Sequence, residues 1–285
     1  MTLSTQRTLF NTDLHLAMLF GKTYATLPHT TLNEKFKVSN SGTVNKMSIY
    51  PTLQYLCIGT GGNPGINSSA GFIHSEHSPI DAALFNHIPF AMYENGINDM
   101  DETRRSNYRF RVIEANENDG KEYICYYLRV LDNLDSAYDN KFQTIKNVGT
   151  ETFISTFDTN IDLINPKPRT RKLDYSLVSE TEFITKLCKI KVTFDAKEVE
   201  DLYKVYKLKG FKSNVLTEMG LCSGIETKDS TTGETTEPVS VQVMFFLDLS
   251  LDLTTNFNTK QSFTKYIEVG GAEPIIQGNV TSKAD

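Results

Sequence analysis

The fold is decided by the stretch Val239-Ser240-Val241-Gln242-Val243-Met244-Phe245-Phe246-Leu247-Asp248-Leu249-Ser250-Leu251-Asp252-Leu253. Every odd-numbered residue in it is apolar, and every even-numbered residue is polar except Met244 and Phe246. Such period-2 alternation predicts a β-strand with one buried face and one solvent-facing side. A strand of this length spans roughly 50 Å, more than twice the usual length. It must therefore curl within a barrel or sandwich, or leave its domain to pair with a neighbouring molecule.

These two possibilities differ at the far end of the strand. Phe245 and Leu247 lie at its centre, and we expect them in the core in either case. If the strand overruns its domain, Leu251 and Leu253 would be buried only by a partner, as would Phe257 and Phe263 beyond them. In a closed barrel or sandwich, the far end would instead pack inside the same chain.

The remaining pattern predicts an α+β fold that is mainly antiparallel β, a sandwich or partly open barrel with two principal helices and extended arms. One helix is predicted over residues 5–21 and the other over 196–209, where Asp195 and Glu198 have the spacing of a capping box. Asn116-Glu117-Asn118-Asp119-Gly120 predicts a hairpin loop. Further strands are predicted at 49–58, 108–114, 123–131, 186–194 and 211–221, the last closing on a turn at Gly220.

The chain is divided by composition into three parts. Residues 1–48 form an N-terminal helix and a polar arm, residues 49–280 form the mainly-β body, and residues 281–285 form a tail. The body has a possible split near 165–172, because Pro166 and Pro168 favour an extended linker.

Composition and charge narrow the class of protein. The net charge is −6 and the basic clusters are small, so we expect no nucleic-acid partner. No run of about 18 apolar residues predicts a membrane span, and no signal peptide is recognised. The four cysteines are widely spaced, which indicates reduced and mostly buried thiols of a protein made in the cytoplasm.

Several residues could take part in catalysis or ligand binding, but their spacing does not match a known catalytic, phosphate-binding or metal-binding motif. The loop Gly59-Thr60-Gly61-Gly62-Asn63-Pro64-Gly65 lacks the features of a phosphate-binding loop. His74 and His77 are the first candidates for a metal site, but His-x-x-His alone favours histidines on a loop surface. We therefore expect no catalytic residues, no cofactor, no metal and no small-molecule ligand. Glu218 is expected to be partly buried and structural, paired with backbone N–H groups of residues 220–224 or with a lysine.

Two short motifs resemble those of a known group of proteins. They are Cys57-Ile58-Gly59-Thr60-Gly61-Gly62 and Leu216-Thr217-Glu218-Met219-Gly220-Leu221. Both resemble motifs of tail-collar, fibre-attachment and baseplate proteins of tailed bacteriophages, where a strand ending in an Ile-Gly-x-Gly turn precedes a Thr-Glu-Ile-Gly-Leu-Phe-like strand. The resemblance implies a structural role in the virion, docked on a symmetric ring of neighbours.

The sequence thus predicts a non-enzymatic virion structural protein of the tail, baseplate or neck. Its partners would be copies of itself in a ring and other virion proteins, contacted through the N-terminal arm at 22–48 and the segment at 266–276. Two alternatives remain open. One is a receptor- or glycan-binding module, since the chain has 13 tyrosines and loops rich in Asn and Thr. The other is a hydrolase with an unrecognised site.

Overall fold

The computed structural model describes residues 5–19, 24, 26, 29–38, 50–61, 77–131, 142–148, 151–157, 178–185, 187–227, 237–254, 261–268 and 273–276. These ranges contain fifteen strands and four helices. The fold is mainly antiparallel β, as predicted, and two of its helices are long. The chain forms two compact units, the first from residues 1–132 and 193–262 and the second from residues 133–192 and 263–285. The predicted split near 165–172 lies outside the described residues.

The elements follow one another along the chain in this order. The N-terminal half contains β1 (Thr5–Arg7), α1 (Leu9–Leu19), α2 (Leu32–Phe36), β2 (Thr52–Gly59), β3 (His87–Ile88), β4 (Ala91–Glu94), α3 (Glu102–Arg105), β5 (Arg111–Ala115), β6 (Glu122–Tyr126) and β7 (Arg129–Val130). The C-terminal half contains β8 (Phe142–Val148), β9 (Glu151–Phe157), β10 (Val178–Thr185), β11 (Leu187–Phe194), α4 (Ala196–Leu208), β12 (Val215–Ile225), β13 (Val239–Asp252), β14 (Gln261–Glu268) and β15 (Glu273–Ile276).

The long strand β13 is part of a six-stranded antiparallel sheet in the first unit, with the order β1-β13-β12-β2-β3 and with β7 also paired to β2. The sheet curls into a half-barrel. β12 and β13 pair from Val215 opposite Asp252 to Ile225 opposite Val239, with three irregularities in register that allow the strands to bend. The long strand therefore curls within its own chain.

The far end of β13 is buried without a partner molecule. Leu251 and Leu253 are 4% and 0% exposed, as thoroughly buried as Phe245 at the centre. The Leu253 N–H also donates to the carbonyl of Asn214 at 2.9 Å. The possibility that the strand overruns its domain and has this end buried by a neighbouring molecule is thus wrong. Phe257 lies outside the described residues, and β14, which contains Phe263, pairs with β11 of this chain.

The second face of β13 is buried over its first half, where a solvent-facing side was expected, and it is half-buried at Asp248 and Asp252. Ser240 and Gln242 are at most 1% exposed, and Met244 and Phe246 are 2% exposed. The cover comes from the described N-terminal residues 5–19, 24, 26 and 29–38, which we call the N-terminal belt. Its helices α1 and α2 both contact β13. Over the first half of β13, alternation in the sequence thus reflects a chemical difference between two buried faces, and the aspartates lie where the second face becomes more exposed.

Hydrogen bonds fix the N-terminal belt to β13. The Thr8 N–H donates to the carbonyl of Met244 at 3.0 Å, and the Thr8 hydroxyl donates to the carbonyl of Val243 at 2.9 Å. The Asn33 amide bridges the start of the strand, donating to the Pro238 carbonyl at 2.7 Å and accepting from the Val241 N–H at 2.8 Å. The described part of the 22–48 arm therefore contacts its own chain.

Several predicted boundaries differ from the structure, among them the strand predicted at 211–221, which is β12 at Val215–Ile225, and two of the differences have a clear physical cause. Residues 5–7 form β1 instead of the first turn of a helix, because their backbone pairs with β13 from Thr5 opposite Leu247 to Arg7 opposite Phe245. Gly220 lies in the middle of β12 and does not end the strand. A Cβ there would lie 2.7 Å from Cys57 Sγ and 3.1 Å from Val243 Cγ1, so this glycine allows close packing instead of making a turn.

A three-stranded antiparallel sheet, β4-β6-β5, lies in the same unit, with β6 at its centre; the strand predicted at 123–131 is divided between β6 and β7, which pairs with β2. The hairpin predicted at 116–120 joins β5 to β6, with Gly120 at a φ of 71°. Its Asn116 and Asn118 amides donate to the Leu208 carbonyl at the end of α4. The predicted capping box is present at the start of α4, where Asp195 and Glu198 accept each other's backbone N–H.

The second unit contains a four-stranded sheet with the order β15-β10-β8-β9, and β11 pairs with β14 in a two-stranded sheet. β8 and β9 form a hairpin that pairs from Phe142 opposite Phe157 to Val148 opposite Glu151. Most of the 266–276 segment, expected to contact other molecules, falls in β14 and β15, which pair with strands of the same chain.

Candidate functional site

The best-built polar cluster surrounds Glu218 in the middle strand of the half-barrel. The Glu218 carboxylate is fully buried and accepts three hydrogen bonds. His77 Nε2 lies 3.0 Å from Oε2, the Phe85 N–H donates to Oε2 at 3.1 Å, and the Asn86 N–H donates to Oε1 at 3.3 Å. A buried carboxylate needs such partners, because an unpaired charge away from water costs several kcal/mol. Glu218 thereby fixes the loop 77–86 to the sheet.

His77 links this carboxylate to a second one. Its Nδ1 lies 3.3 Å from Asp81 Oδ2, while the side chain itself is 1% exposed. The ring is stacked between Phe85 and Phe246, with ring centroids 4.0 and 3.9 Å away. One imidazole therefore joins the Glu218 and Asp81 carboxylates through its two ring nitrogens. The expectation that this histidine lies on a loop surface is wrong.

Two glycines make room for the Glu218 carboxylate. A Cβ at Gly59 would lie 2.7 Å from the Asn86 carbonyl oxygen and 2.9 Å from Glu218 Oε1. A Cβ at Gly61 would lie 2.6 Å from Phe85 Cβ and 3.0 Å from the same carboxylate oxygen. These are closer than real Cβ contacts, so the glycine-rich turn after β2 is shaped to hold a protein carboxylate. Residues 62–65 of the loop lie outside the described residues.

The chemistry open to this cluster is limited by what surrounds it. Both ring nitrogens of His77 face carboxylates, and both ring faces are covered by aromatic rings. A general base must reach the proton that it abstracts on a substrate, and this imidazole presents no open nitrogen. Among the ionisable side chains of this cluster in the described residues, Asp81 is the most exposed, with 33% of its side chain open to solvent. The arrangement is suited to holding the loop 77–86 in place.

His87 lies near this cluster but does not join it. Its Nε2 accepts a hydrogen bond from the Leu84 N–H at 3.0 Å, and Phe36 packs edge-on against the ring at 5.3 Å. Burial, with a further contribution from the charges of Lys35 and His77, lowers the pKa of His87 to about 3. The ring is therefore neutral at physiological pH, with its proton on Nδ1, which has no hydrogen-bond partner among the described residues.

A second buried cluster lies at the start of α4. Arg129 is 3% exposed, and its guanidinium donates to both oxygens of Glu198 at 3.0 and 3.1 Å. The Tyr108 hydroxyl donates to the same carboxylate at 3.1 Å. Burial raises the pKa of Glu198 in spite of the nearby guanidinium. Because Glu198 also caps α4, this cluster connects the helix to β7 and serves the fold.

The other candidate residues are placed as follows. His74 lies outside the described residues, and within the described ranges no group of three His, Cys, Asp or Glu side chains is arranged to hold a metal ion. Lys204 on α4 pairs with Glu200 at 2.5 Å, and Lys209, which directly follows the helix, pairs with Glu114 at 3.0 Å. None of the helices in the described part of the chain has the length and apolar character needed to cross a membrane.

Sequence reasoning identified Glu218 but not its partners. The carboxylate binds backbone N–H groups, as expected, but those of Phe85 and Asn86 instead of those in residues 220–224, and a histidine replaces the expected lysine. The expectation failed because Gly220 continues the strand, so that the backbone N–H groups following it are used in sheet pairing. No local pattern in the sequence marks His77 as the partner of Glu218, because the two residues are 141 positions apart.

Comparison with other proteins gives a family without a described activity. No curated protein and no solved structure matches this chain. A family model described as "Family of unknown function (DUF7208)" matches residues 1–284, and the chain therefore belongs to that family.

Proposed function

We propose that this chain is a non-enzymatic structural protein of a tailed-bacteriophage virion, a tail, baseplate or neck component. It acts by assembling with copies of itself into a ring and by docking neighbouring virion proteins. It is made in the host cytoplasm and works in the particle.

The observation that carries this proposal is the meeting of the two motifs that resemble tail proteins. They are at least 154 positions apart in the sequence, yet Ile58 lies opposite Met219, and Gly59 lies opposite Glu218, in adjacent antiparallel strands. The glycine turn of the first motif encloses the glutamate of the second. The two motifs therefore act as one structural unit, which favours a shared structural role over two chance matches.

The use of the polar clusters supports a role without catalysis. Glu218, His77, Glu198 and Arg129 are each nearly or fully enclosed, and their polar atoms bind other parts of the chain. Enzymes usually leave their catalytic ionisable groups open to a cleft. Here the buried pair of His77 and Glu218 holds the loop 77–86 in place, and the buried pair of Arg129 and Glu198 holds α4 in place.

Contact with neighbours would use exposed surface, since β13 is satisfied within the chain. Leu9, Ile80 and Phe85, which we call the apolar patch, are 52%, 67% and 46% exposed. They lie near one another, because the Leu9 N–H donates to the Pro79 carbonyl at 2.9 Å and Phe85 stacks on His77 in the same loop. Clustered large apolar side chains on a surface are typical of protein interfaces. A second copy of this chain is the partner proposed for the patch.

The test is the oligomeric state of the purified protein, measured by light scattering and negative-stain microscopy. We expect closed rings or defined oligomers, and we expect Ile80→Asp to dissociate them. Ile97→Asp is the matched control, because Ile97 is also 67% exposed but lies in the turn after β4. A monodisperse monomer would overturn the proposal. Specific glycan binding by that monomer would favour the receptor-binding alternative, and turnover of an ester or glycoside would favour the hydrolase.

A further inference from the structure

Two buried cysteines face each other across the central pair of strands. Cys57 on β2 and Cys222 on β12 have their sulfur atoms 3.5 Å apart. Cys57 lies opposite Gly220, two residues before Cys222, so both side chains are on the same face of the sheet. Both sulfur atoms also lie 3.6 Å from the carbonyl oxygen of Gly220. The thiols are therefore held side by side in the reduced protein.

The absence of a side chain at Gly220 makes this approach possible. A Cβ at that position would lie 2.7 Å from Cys57 Sγ, which shows that the Cys57 side chain occupies the space over the glycine. A disulfide needs the sulfur atoms about 2.05 Å apart, so they must close by about 1.5 Å. Rotation of the two side chains, with a small local shift of paired strands, supplies a movement of this size.

We propose that Cys57 and Cys222 form a reversible disulfide when the protein meets a peroxide oxidant. One thiolate attacks a peroxide oxygen and breaks the O–O bond, giving a sulfenic acid and a hydroxide that takes up the proton released by the thiol and becomes water. The sulfur of the second cysteine then attacks the sulfenic sulfur, forms the S–S bond and releases a second water. In total, two thiols give two electrons to hydrogen peroxide, and the products are one disulfide and two waters. This modification is separate from the proposed function and does not depend on it.

The surroundings make this a slow reaction. Both thiols are at most 1% exposed, and burial together with the neighbouring sulfur raises the pKa of Cys222 well above its usual value. The thiolate is the reactive form, so oxidation requires transient opening of the sheet near β2 and β12. A protein made in a reducing cytoplasm would keep its thiols and would acquire the cross-link only on prolonged exposure to oxidant.

Cys125 is the internal control for this pair. It is buried in the same core cluster, and burial raises its pKa to about 12. Its sulfur contacts the Tyr123 carbonyl oxygen at 3.7 Å, and no other described cysteine lies within contact distance of it. If proximity decides the reaction, oxidation will cross-link Cys57 to Cys222 and leave Cys125 as a thiol.

The experiment uses the full chain, incubated with hydrogen peroxide under native conditions and then denatured and alkylated. We expect a mass loss of about 2 Da and a fall in alkylatable thiols from four to two, both reversed by dithiothreitol. Peptide mapping should recover one cross-linked peptide containing Cys57 and Cys222. Because the bond closes a long loop, the oxidised protein should melt about 5–15 °C higher.

Variants separate this pair from other thiols. Cys57→Ser and Cys222→Ser should each lose the 2-Da product and gain oxygen adducts on the remaining cysteine, whereas Cys125→Ser should still form the cross-link. Mapping of the unaltered chain decides the question even if a serine variant fails to fold. A different disulfide, or only sulfinic and sulfonic acids in the folded wild-type protein, would overturn the proposal.

Discussion

Replacing Glu218 by Gln tests whether this buried carboxylate holds the loop 77–86 on the sheet. The variant keeps the shape of the side chain but turns one acceptor oxygen into a donor. In the better orientation the amide oxygen faces His77 and Phe85, and the amide NH₂ faces the Asn86 N–H, which then has no acceptor. An orphaned buried N–H costs about 1–3 kcal/mol, and each of the other two bonds loses about 1 kcal/mol with the charge. We expect the free energy of unfolding to fall by about 3–5 kcal/mol.

Chemical denaturation followed by circular dichroism measures this change, and the melting temperature should fall by about 6–15 °C. Glu117→Gln in the exposed hairpin loop is the matched control, and it should change stability by less than about 0.5 kcal/mol. A double-mutant cycle with His77→Phe should give a coupling energy above about 1 kcal/mol. Equal stability of Glu218→Gln and Glu117→Gln would refute the reasoning. So would a hydrolytic activity that disappears in Glu218→Gln while the fold persists.

Three further predictions concern the strand β13 and His87. Because Phe245 and Leu253 are both buried, Phe245→Ala and Leu253→Asp should each lower the free energy of unfolding of the isolated chain by about 2–5 kcal/mol, measured by urea denaturation. An unchanged urea midpoint for Leu253→Asp would contradict the packing of Leu253 inside its own chain. Ser240 has a φ of 55° and a buried hydroxyl without a partner among the described residues. Ser240→Gly should therefore raise the free energy of unfolding by about 1 kcal/mol in the same assay. A lower free energy of unfolding would refute the idea that the backbone is strained at this residue. The folded pKa of His87 lies below the unfolded value of 6.5, so the unfolded chain binds more protons between pH 6.5 and 3. The free energy of unfolding should therefore decline on acidification through that range, by roughly 1 kcal/mol per pH unit more than in His87→Gln. If the free energy of unfolding depends on pH in the same way in both proteins, the lowered pKa of His87 is refuted.

The strands were predictable from the sequence because they depend on local patterns. Alternation located β13 to within one residue. The capping box located the first residue of α4, and the predicted end at residue 209 is one residue beyond the observed end at Leu208. What covers the second face of β13 was not predictable. The covering groups include Thr8 and Asn33, ordinary polar residues whose contacts to the strand cross more than 200 positions. No periodic pattern connects segments so far apart.

The Glu218 cluster shows the same division between local and distant information. The position of Glu218 near Leu216 and Leu221 predicts a partly buried carboxylate, and the structure buries it fully. Its partner His77 is 141 positions away, in a loop without periodicity. Gly220 was misjudged because a glycine that ends a strand and a glycine that admits a neighbouring sulfur look identical in sequence. Only the pairing of β2 with β12 distinguishes them.

The N-terminal belt has a consequence for how the protein is made. Its hydrogen bonds to β13 join residues separated by 235 positions at Thr8 and 205 at Asn33. A ribosome adding about 5–20 residues per second needs roughly 10–50 s to cover that distance. During that time the N-terminal belt, once synthesised, has no strand to bind, and the half-barrel cannot close. Folding of this unit is therefore expected to follow synthesis, with slow kinetics typical of long-range strand pairing. Messages truncated before codon 239 should yield chains that cannot fold this unit, however complete their N-terminal half.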